Sequence, residues 1–238
     1  VKAGFSIVSV VTAPDKPAGR GLQLQQSAVK KYAVENNLPV LQPVKLKDPA
    51  FISALEALNA NVFVVVAFRM LPEIVWNMPP MGTINVHGSL LPSYRGAAPI
   101  NWAVINGEKE TGVTTFKLKA AIDTGNILLQ DKLPISEADT AGTIHDKMMV
   151  LGANLLVTTL TGLINNTLVE QDQEAIIHQD PSLLKHAPKI FTETCTIDWK
   201  NNPGCDFSIG FNGNSLIVHP LDEKATALVS ATDFVNNR

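Results

Sequence analysis

Cysteine is scarce: Cys195 and Cys205 are the two thiols in 238 residues. Two thiols in a chain of this length do not define a disulfide framework, which excludes a small stapled fold and leaves free thiols as the expectation. No apolar run reaches the roughly 18 residues that a membrane helix needs, so no membrane association is expected. No stretch reads as a signal peptide, and a cytoplasmic protein is the default. Charged residues make up 17% of the chain against 45% apolar ones, ordinary for a globular protein. No cluster of His, Cys, Asp and Glu has the spacing of metal ligands, and no metal is expected. Gly19 and Gly21 lack the later glycine, or the Gly-Lys-Ser/Thr, of a dinucleotide or P-loop fingerprint. Asp123-Thr124-Gly125 matches an aspartic-protease triplet, but that chemistry needs two such aspartates and the chain shows no repeat.

The net charge of −3 gives no bulk attraction to polyanions. Its distribution is uneven. Residues 1–47 hold seven Lys or Arg against two acids, and residues 48–238 hold twelve against twenty. A basic front on an acidic body would suit one edge meeting a phosphate backbone; simple solvation of Lys30, Lys31, Lys45 and Lys47 explains the same charges equally well.

The length suggests one domain of about 150 to 200 residues with a smaller one. The β-branched run at 6–11 reads as a buried parallel strand. Two prolines and two glycines at 12–27 argue for a long loop without regular structure. Helical spacing follows at 28–37, a short strand at 39–41, a helix opened by Asp48 and Pro49, and a strong strand at 62–67. The spacing predicts a helix at 100–106 with Trp102 in the core, strands at 111–117 and 127–133, and a helix from Thr140 to about Ile164 with Ile144, Met148, Leu151, Leu155 and Leu156 as its buried stripe. His145 and Asp146 fall on its surface side. Residues 169–194 read as a polar linker, with short strands around 208, 217 and 228. Strand–helix alternation at this pitch predicts an α/β fold with a doubly wound, mostly parallel sheet, in which ligands sit outside the carboxyl ends of the strands.

Three polar residues stand out. Asn85 and His87 are two apart, so on a strand they share a face. Asp123 comes 36 residues after His87 on a turn made by Thr124 and Gly125. A hairpin of strands 111–117 and 127–133 would put Asp123 at its tip, beside Asn85 and His87. The amide can donate to an oxyanion, and the imidazole can donate or accept near neutral pH. The carboxylate can orient the imidazole and hold it charged, or take a proton. Together they are parts for acyl transfer. By residue type alone, a turn-capping Asn85 and a satisfied core His87 remain an equal alternative.

Asn85-Val86-His87, then Ser89-Leu90-Leu91-Pro92-Ser93-Tyr94-Arg95-Gly96-Ala97-Ala98-Pro99, then Asp123-Thr124-Gly125 resembles the folate-dependent formyltransferases. The resemblance implies a Rossmann-like formyltransferase fold, with Asn85, His87 and Asp123 as the catalytic trio. It implies 10-formyltetrahydrofolate as co-substrate, with Phe68, Arg69, Met70 and Leu71 holding the pterin largely through backbone. Ser89, Leu90, Leu91, Pro92 and Thr124 are the other folate-binding candidates. Arg95 either pins its loop or faces substrate, with pinning the favoured reading.

Pro14 to Gly21 is similar to a loop found in the branch of that family that formylates methionyl-tRNA, where it inserts toward the acceptor end. Lys16 and Arg20 are the tRNA-contacting candidates. Leu22-Gln23 departs from the two lysines that relatives often carry there. Ala187-Pro188-Lys189-Ile190 and Ile197-Asp198-Trp199 resemble the junction into a small C-terminal β-barrel that helps hold tRNA. The expected division is a catalytic domain at 1–178, a linker at 179–199 and a partial C-terminal β domain at 200–238. A first strand and helix, which precede this point in the family, are expected to be missing. The implied activity is formyl transfer to initiator methionyl-tRNA for translation initiation, by a monomer. The alternatives are a sister formyltransferase acting on glycinamide ribonucleotide or an amino-sugar nucleotide, and a non-catalytic RNA-binding module.

Overall fold

The structure, a computed structural model, describes residues 2–18 and 23–191 and the backbone of three later strands. It divides into two compact units, Val1–Ile84 and Asn85–Arg238.

The first unit contains β1 (Val10–Val11), β2 (Lys16–Ala18), β3 (Gln23–Gln25), α1 (Ala28–Glu35), β4 (Val40–Leu41), α2 (Pro49–Ala57), β5 (Phe63–Val66) and α3 (Glu73–Trp76). Ser27 caps α1 by accepting from the Lys30 N–H, and Asp48 caps α2 by accepting from the Ala50 N–H, with Pro49 in the first turn. Phe51 and Leu55 of α2 and Val75 of α3 form the core, against which Val11, Leu41, Phe63 and Leu71 pack. Thus β1, β4 and β5 all rest on α2.

Two expectations change here. The strand expected at 6–11 forms a ladder only at Val10–Val11, because its parallel partner is the two-residue β4; Ile7 and Val8 stay 39% and 38% exposed. The segment expected to lack regular structure contains a ribbon, with β2 and β3 pairing antiparallel at Lys16↔Gln25, Pro17↔Leu24 and Ala18↔Gln23. In a two-stranded ribbon each strand keeps a free edge, which is where proline is tolerated. The ribbon's base is tied at Asp15, which accepts from Lys30 Nζ at 2.5 Å and Gln42 Nε2 at 2.9 Å. The Lys30 ammonium, then the Gln42 amide, hold the Asp15 carboxyl below its ordinary value.

The next strand, β6 (Thr83–His87), starts in the first unit and ends in the second. The second unit continues with β7 (Arg95–Gly96), α4 (Pro99–Ile105), β8 (Glu110–Lys117), β9 (Ile127–Pro134), α5 (Ala141–Ile164), α6 (Gln173–Gln179), a 3-10 turn at Pro181–Leu183 and β10 (His186–Ala187). A four-stranded sheet has the order β5-β6-β8-β9. β8 and β9 form the expected antiparallel hairpin, with a register irregularity between Thr115 and Phe116. The described ladders therefore mix antiparallel with parallel pairing, the latter in β1–β4 and β7–β10.

Thr140 opens α5 with a reciprocal capping box to Thr143. Ile144, Met148 and Leu155 are buried with Val113 of β8, and Val86, Leu129 and Leu133 pack on the same cluster. By length and composition alone, this 24-residue helix is apolar enough to cross a membrane. Counting uninterrupted apolar runs misses it, because Gly152, Asn154 and Thr158 break the run.

The polar stretch expected as linker holds α6, capped by Asp172. Ile176 of α6 packs against the cluster of Leu91, Phe116 and Ile127. Its fully buried residue is Gln173, so α6 has too little apolar periodicity to announce a helix. Beyond residue 191 the described backbone is a meander in the order β11 (Phe207–Asn212), β12 (Ser215–Pro220), β13 (Ala227–Ser230), antiparallel throughout. Residues 192–206, with Cys195, Cys205 and the Ile197-Asp198-Trp199 junction, lie outside the described residues.

Candidate active site

β6 presents Asn85 and His87 at its carboxyl end. Asn85 is half-buried, and its side-chain amide has no hydrogen-bond partner among the described residues. His87 is only 7% exposed. Its ring stands edge-on to Phe116, with centroids 6.4 Å apart and an interplanar angle of 86°. Its Nε2 lies 2.9 Å from the Tyr94 carbonyl oxygen. A carbonyl can only accept, so Nε2 carries a hydrogen and donates it. That fixes the tautomer: Nδ1 is the nitrogen left for chemistry, and it faces Asp123 Oδ2 at 3.8 Å. This is ion-pair range, longer than a hydrogen bond.

Asp123 sits in the loop between β8 and β9 with φ 53°, a left-handed backbone that aspartate tolerates better than most residues. Three consecutive residues hold the pair. Tyr94 accepts from His87 through its carbonyl. Gly96 donates its N–H to Asp123 Oδ2 at 2.8 Å. Arg95 donates from Nε and Nη2 to Gln173 Oε1, at 3.1 and 2.9 Å. Gln173 Nε2 in turn donates to the Asp123 and Gly125 carbonyls, at 2.9 and 2.7 Å. Arg95 also pairs with Glu174 at 3.4 Å.

The 94–96 segment is held in place by β10. β7 and β10 pair in parallel, Arg95 with His186 and Gly96 with Ala187. Gly96 has φ 131°, and a Cβ there would lie 2.4 Å from the Ala187 oxygen; only glycine fits. Tyr94, at φ 63°, is anchored by its buried ring. Its hydroxyl donates to Glu108 and accepts from Asn106 Nδ2, while Lys185 pairs with Glu108 and stands over the ring. Burial, and then the Glu108 carboxylate, push the Tyr94 hydroxyl up to about 12. Burial also pushes Glu108 up, but Lys185 and the Tyr94 hydroxyl outweigh it and hold that carboxyl below its ordinary value.

The segment after His87 is pinned onto the hairpin. Ser89 is fully buried and donates to the Ser93 carbonyl. The Thr114 hydroxyl donates to the Ser89 carbonyl at 2.6 Å. It accepts from the Leu91 N–H at 3.1 Å and from Gln130 Nε2 at 2.8 Å. Leu91 and Pro92 are buried and Leu90 is half-buried. Thr124 turns its hydroxyl onto the Ala121 carbonyl of its own turn.

The remaining candidates lie in the first unit. Arg69 donates to the Pro43 and Val44 carbonyls and stacks over the Phe68 ring at 5.2 Å. Leu71 packs on the core and Met70 is 72% exposed. Lys16 is exposed on β2, and Arg20 lies outside the described residues.

The structure thus brings together His87 and Asp123, and holds both through Tyr94, Gly96 and Gln173, none of which sequence reasoning singled out. Two of those act through backbone, which leaves no trace in side-chain identity. Arg95 does pin its loop, and Trp102 is half-buried, with its Nε1–H on the Pro188 carbonyl. An imidazole with one nitrogen left over, a carboxylate facing it and, on the same strand, an amide unpaired among the described residues can stabilise an oxyanion and move a proton.

The model of the formyl transferase family matches residues 2–160. A protein named methionyl-tRNA formyltransferase from Bacteroides thetaiotaomicron is 55% identical over 205 residues, 85% of this chain and 62% of that protein. Its namesake from Parabacteroides distasonis is 57% identical over 204 residues, with the same shares. The chain therefore spans about three-fifths of the length of these relatives, 62%. Among solved structures, a sugar 3N-formyl transferase in the presence of dTDP and 5-N-formyl-THF aligns with a TM-score of 0.55 at 19% identity, over 84% of this chain and 80% of that one; this likeness is one of fold. Matched over well more than half its length, with Asn85, His87 and Asp123 inside the matched span, the chain belongs to the formyl transferase family.

Proposed function

We propose that the chain transfers a formyl group from 10-formyltetrahydrofolate to the amino group of initiator methionyl-tRNA, the modification that prepares it for translation initiation. The observation that carries the reading is the His87–Asp123 pair, gripped from the 94–96 segment on the same strand end as Asn85. The identity to relatives named methionyl-tRNA formyltransferase supports the choice of acceptor.

In the proposed reaction the free amine attacks the formyl carbon. A carbon–nitrogen bond forms and the carbonyl electrons move onto oxygen, giving a tetrahedral oxyanion. The Asn85 amide and the Nδ1–H of protonated His87 donate to that oxygen, since Nε2–H is already spent on Tyr94. One such donor is worth roughly 3 to 4 kcal/mol. Asp123 takes the amine proton, directly or through water, a general-base contribution of about 10² to 10⁴ in rate. Collapse breaks the bond to N10, which keeps the electron pair and is protonated. Tetrahydrofolate and the formylated amine leave.

The folate donor is assigned to Ser89, Leu90, Leu91, Pro92 and Thr124 in the second unit. The hydrogen bonds of Thr114 and Gln130 support a rigid main chain there. Phe68, Arg69, Met70 and Leu71 keep their assignment to the pterin by resemblance, supported by the anchoring of Arg69. Lys16 and Arg20 are assigned to tRNA phosphates. We place the protein in the cytoplasm as a monomer.

Incubating the protein with 10-formyltetrahydrofolate and charged initiator tRNA tests the reading by the appearance of formyl-methionyl-tRNA. Transfer to glycinamide ribonucleotide or an amino-sugar nucleotide instead would overturn the acceptor. Transfer to no amine would overturn the reaction.

A further inference from the structure

We infer that Gln173, from the segment that reads as a linker, is a positioning residue for Asp123: it clamps the left-handed turn that aims the carboxylate. The inference rests on the formyl-transfer reading for the role of Asp123, and on geometry for the clamp itself.

Gln173 is fully buried, and every group of its side chain has a partner. Its Nε2 spans the Asp123 and Gly125 carbonyls, at 2.9 and 2.7 Å. Its Oε1 receives both Nε and Nη2 of Arg95, at 3.1 and 2.9 Å. The orientation of this amide is therefore determined by its surroundings. Turned over, it would face two carbonyls with an oxygen and a guanidinium with an N–H. A glutamine in this place satisfies two carbonyls of one tight turn at a single point, which an apolar side chain cannot do.

The turn needs that support. Asp123 holds φ 53°, and a Cβ on Gly125 would lie 1.5 Å from the Lys117 oxygen, so the loop is drawn tightly back against the end of β8. The two ends of Asp123 are held from adjacent residues. Gly96 holds the carboxylate, and Arg95, through Gln173, holds the carbonyl. Releasing the carbonyl lets the whole residue move, which draws Oδ2 away from both the Gly96 N–H and His87 Nδ1 while leaving His87 on Tyr94. The role is positional, because Gln173 is buried beneath the turn and its polar atoms are committed to protein partners.

Two substitutions in the full chain test this. Gln173→Met keeps the volume and removes all four hydrogen bonds. Gln173→Glu keeps an acceptor for Arg95 but sets an oxygen against the two carbonyls, and serves if the methionine variant does not fold. In either, kcat for formyl transfer is expected to fall by about 10²-fold, the scale of a misplacement near 1 Å. KM for the acceptor should stay within about threefold, since its ground-state binding is left intact, and kcat should fall by more than any rise in KM for folate, whose assigned contacts include Thr124 of the same turn. Amide exchange at Gly96, whose N–H reports directly on the Asp123 carboxylate, should quicken. The amides of Arg95 and Ala97, bonded to Lys185 and Ala187, should keep their protection; a merely structural loss would release all three together. A folded variant with wild-type kcat overturns the inference, as does loss of protection at Arg95 and Ala97 together with Gly96. If the wild-type protein transfers no formyl group, the functional reading fails separately. Gly96 exchange then decides the clamp by itself, and equal exchange in wild type and variant overturns it.

Discussion

Gly96→Ala is the substitution for which the structure gives the most definite cost. At φ 131° an alanine is strained wherever its side chain points, at about 1 to 3 kcal/mol. The new Cβ would also lie 2.4 Å from the Ala187 oxygen and 2.9 Å from its carbonyl carbon. That neighbour is backbone. It cannot retreat without stretching the bonds it accepts from the Ala97 and Ala98 N–H groups, at 2.7 and 3.2 Å, each worth about 1 kcal/mol. The sum is roughly 3 to 5 kcal/mol, which at about 2 to 4 °C per kcal/mol lowers Tm by roughly 6 to 20 °C. Because the Gly96 N–H holds Asp123, kcat should fall as well. Urea denaturation followed by circular dichroism gives the first number and formyl transfer gives the second. Gly107→Ala is the control. Its φ is 66° and nothing lies within 4 Å of where a Cβ would stand, so only the left-handed strain of about 1 kcal/mol applies. A Gly96→Ala protein no less stable than Gly107→Ala, with unchanged kcat, would refute the reasoning.

Other consequences are as concrete. Asp123→Asn and His87→Ala should each cut kcat by at least about 10²-fold in a protein whose circular dichroism matches wild type; near-normal turnover by either would sink the assigned roles. The Lys147 ammonium, then the Ser136 N–H and hydroxyl, hold the Asp139 carboxyl well below the usual carboxylate range. Its folded value being depressed, its stabilisation is present above the unfolded value of about 3.9 and is lost as pH falls toward the folded one. Asp139→Asn should therefore cost about 1 to 3 kcal/mol at pH 7, at the low end because Lys147 is 47% exposed. The deficit should shrink at pH 3.5, and equal urea-midpoint deficits at both pH values would contradict it. Thr114→Val strips partners from Ser89, Leu91 and Gln130, and should cost about 2 to 3 kcal/mol and raise KM for the folate donor. An unchanged KM would remove Ser89–Leu91 from the donor site.

Much of the scaffold was legible because its physics is local. Period-two spacing put Asn85 and His87 on one face, Thr124-Gly125 marked the turn, and the hairpin expected at 111–117 and 127–133 runs one residue longer at its open end on each strand. Thr140 and Asp48 announced their helices as side-chain caps. What was illegible depends on distant partners. The length of β1 is set by the two residues of β4. The partners of Asp123 are a backbone N–H and a buried glutamine 50 residues away, and neither is marked by hydrophobic pattern. His87 reads equally as a core histidine or a catalytic one until the Tyr94 carbonyl shows which nitrogen is free.

The grip of residues 94–96 also fixes where this chain can change length. Consecutive Cα atoms are about 3.8 Å apart along a trans chain, so Tyr94, Arg95 and Gly96 act as a ruler whose two ends set His87 and Asp123 against each other. One inserted residue there would move the Tyr94 carbonyl off His87 or the Gly96 N–H off Asp123, and no side-chain repacking could restore both. The approach to Asp123 from the other side is different: residues 119–122 are exposed, and exposed loops absorb insertions at little cost. The hairpin tip can grow or shrink there while the ruler, three residues long, cannot.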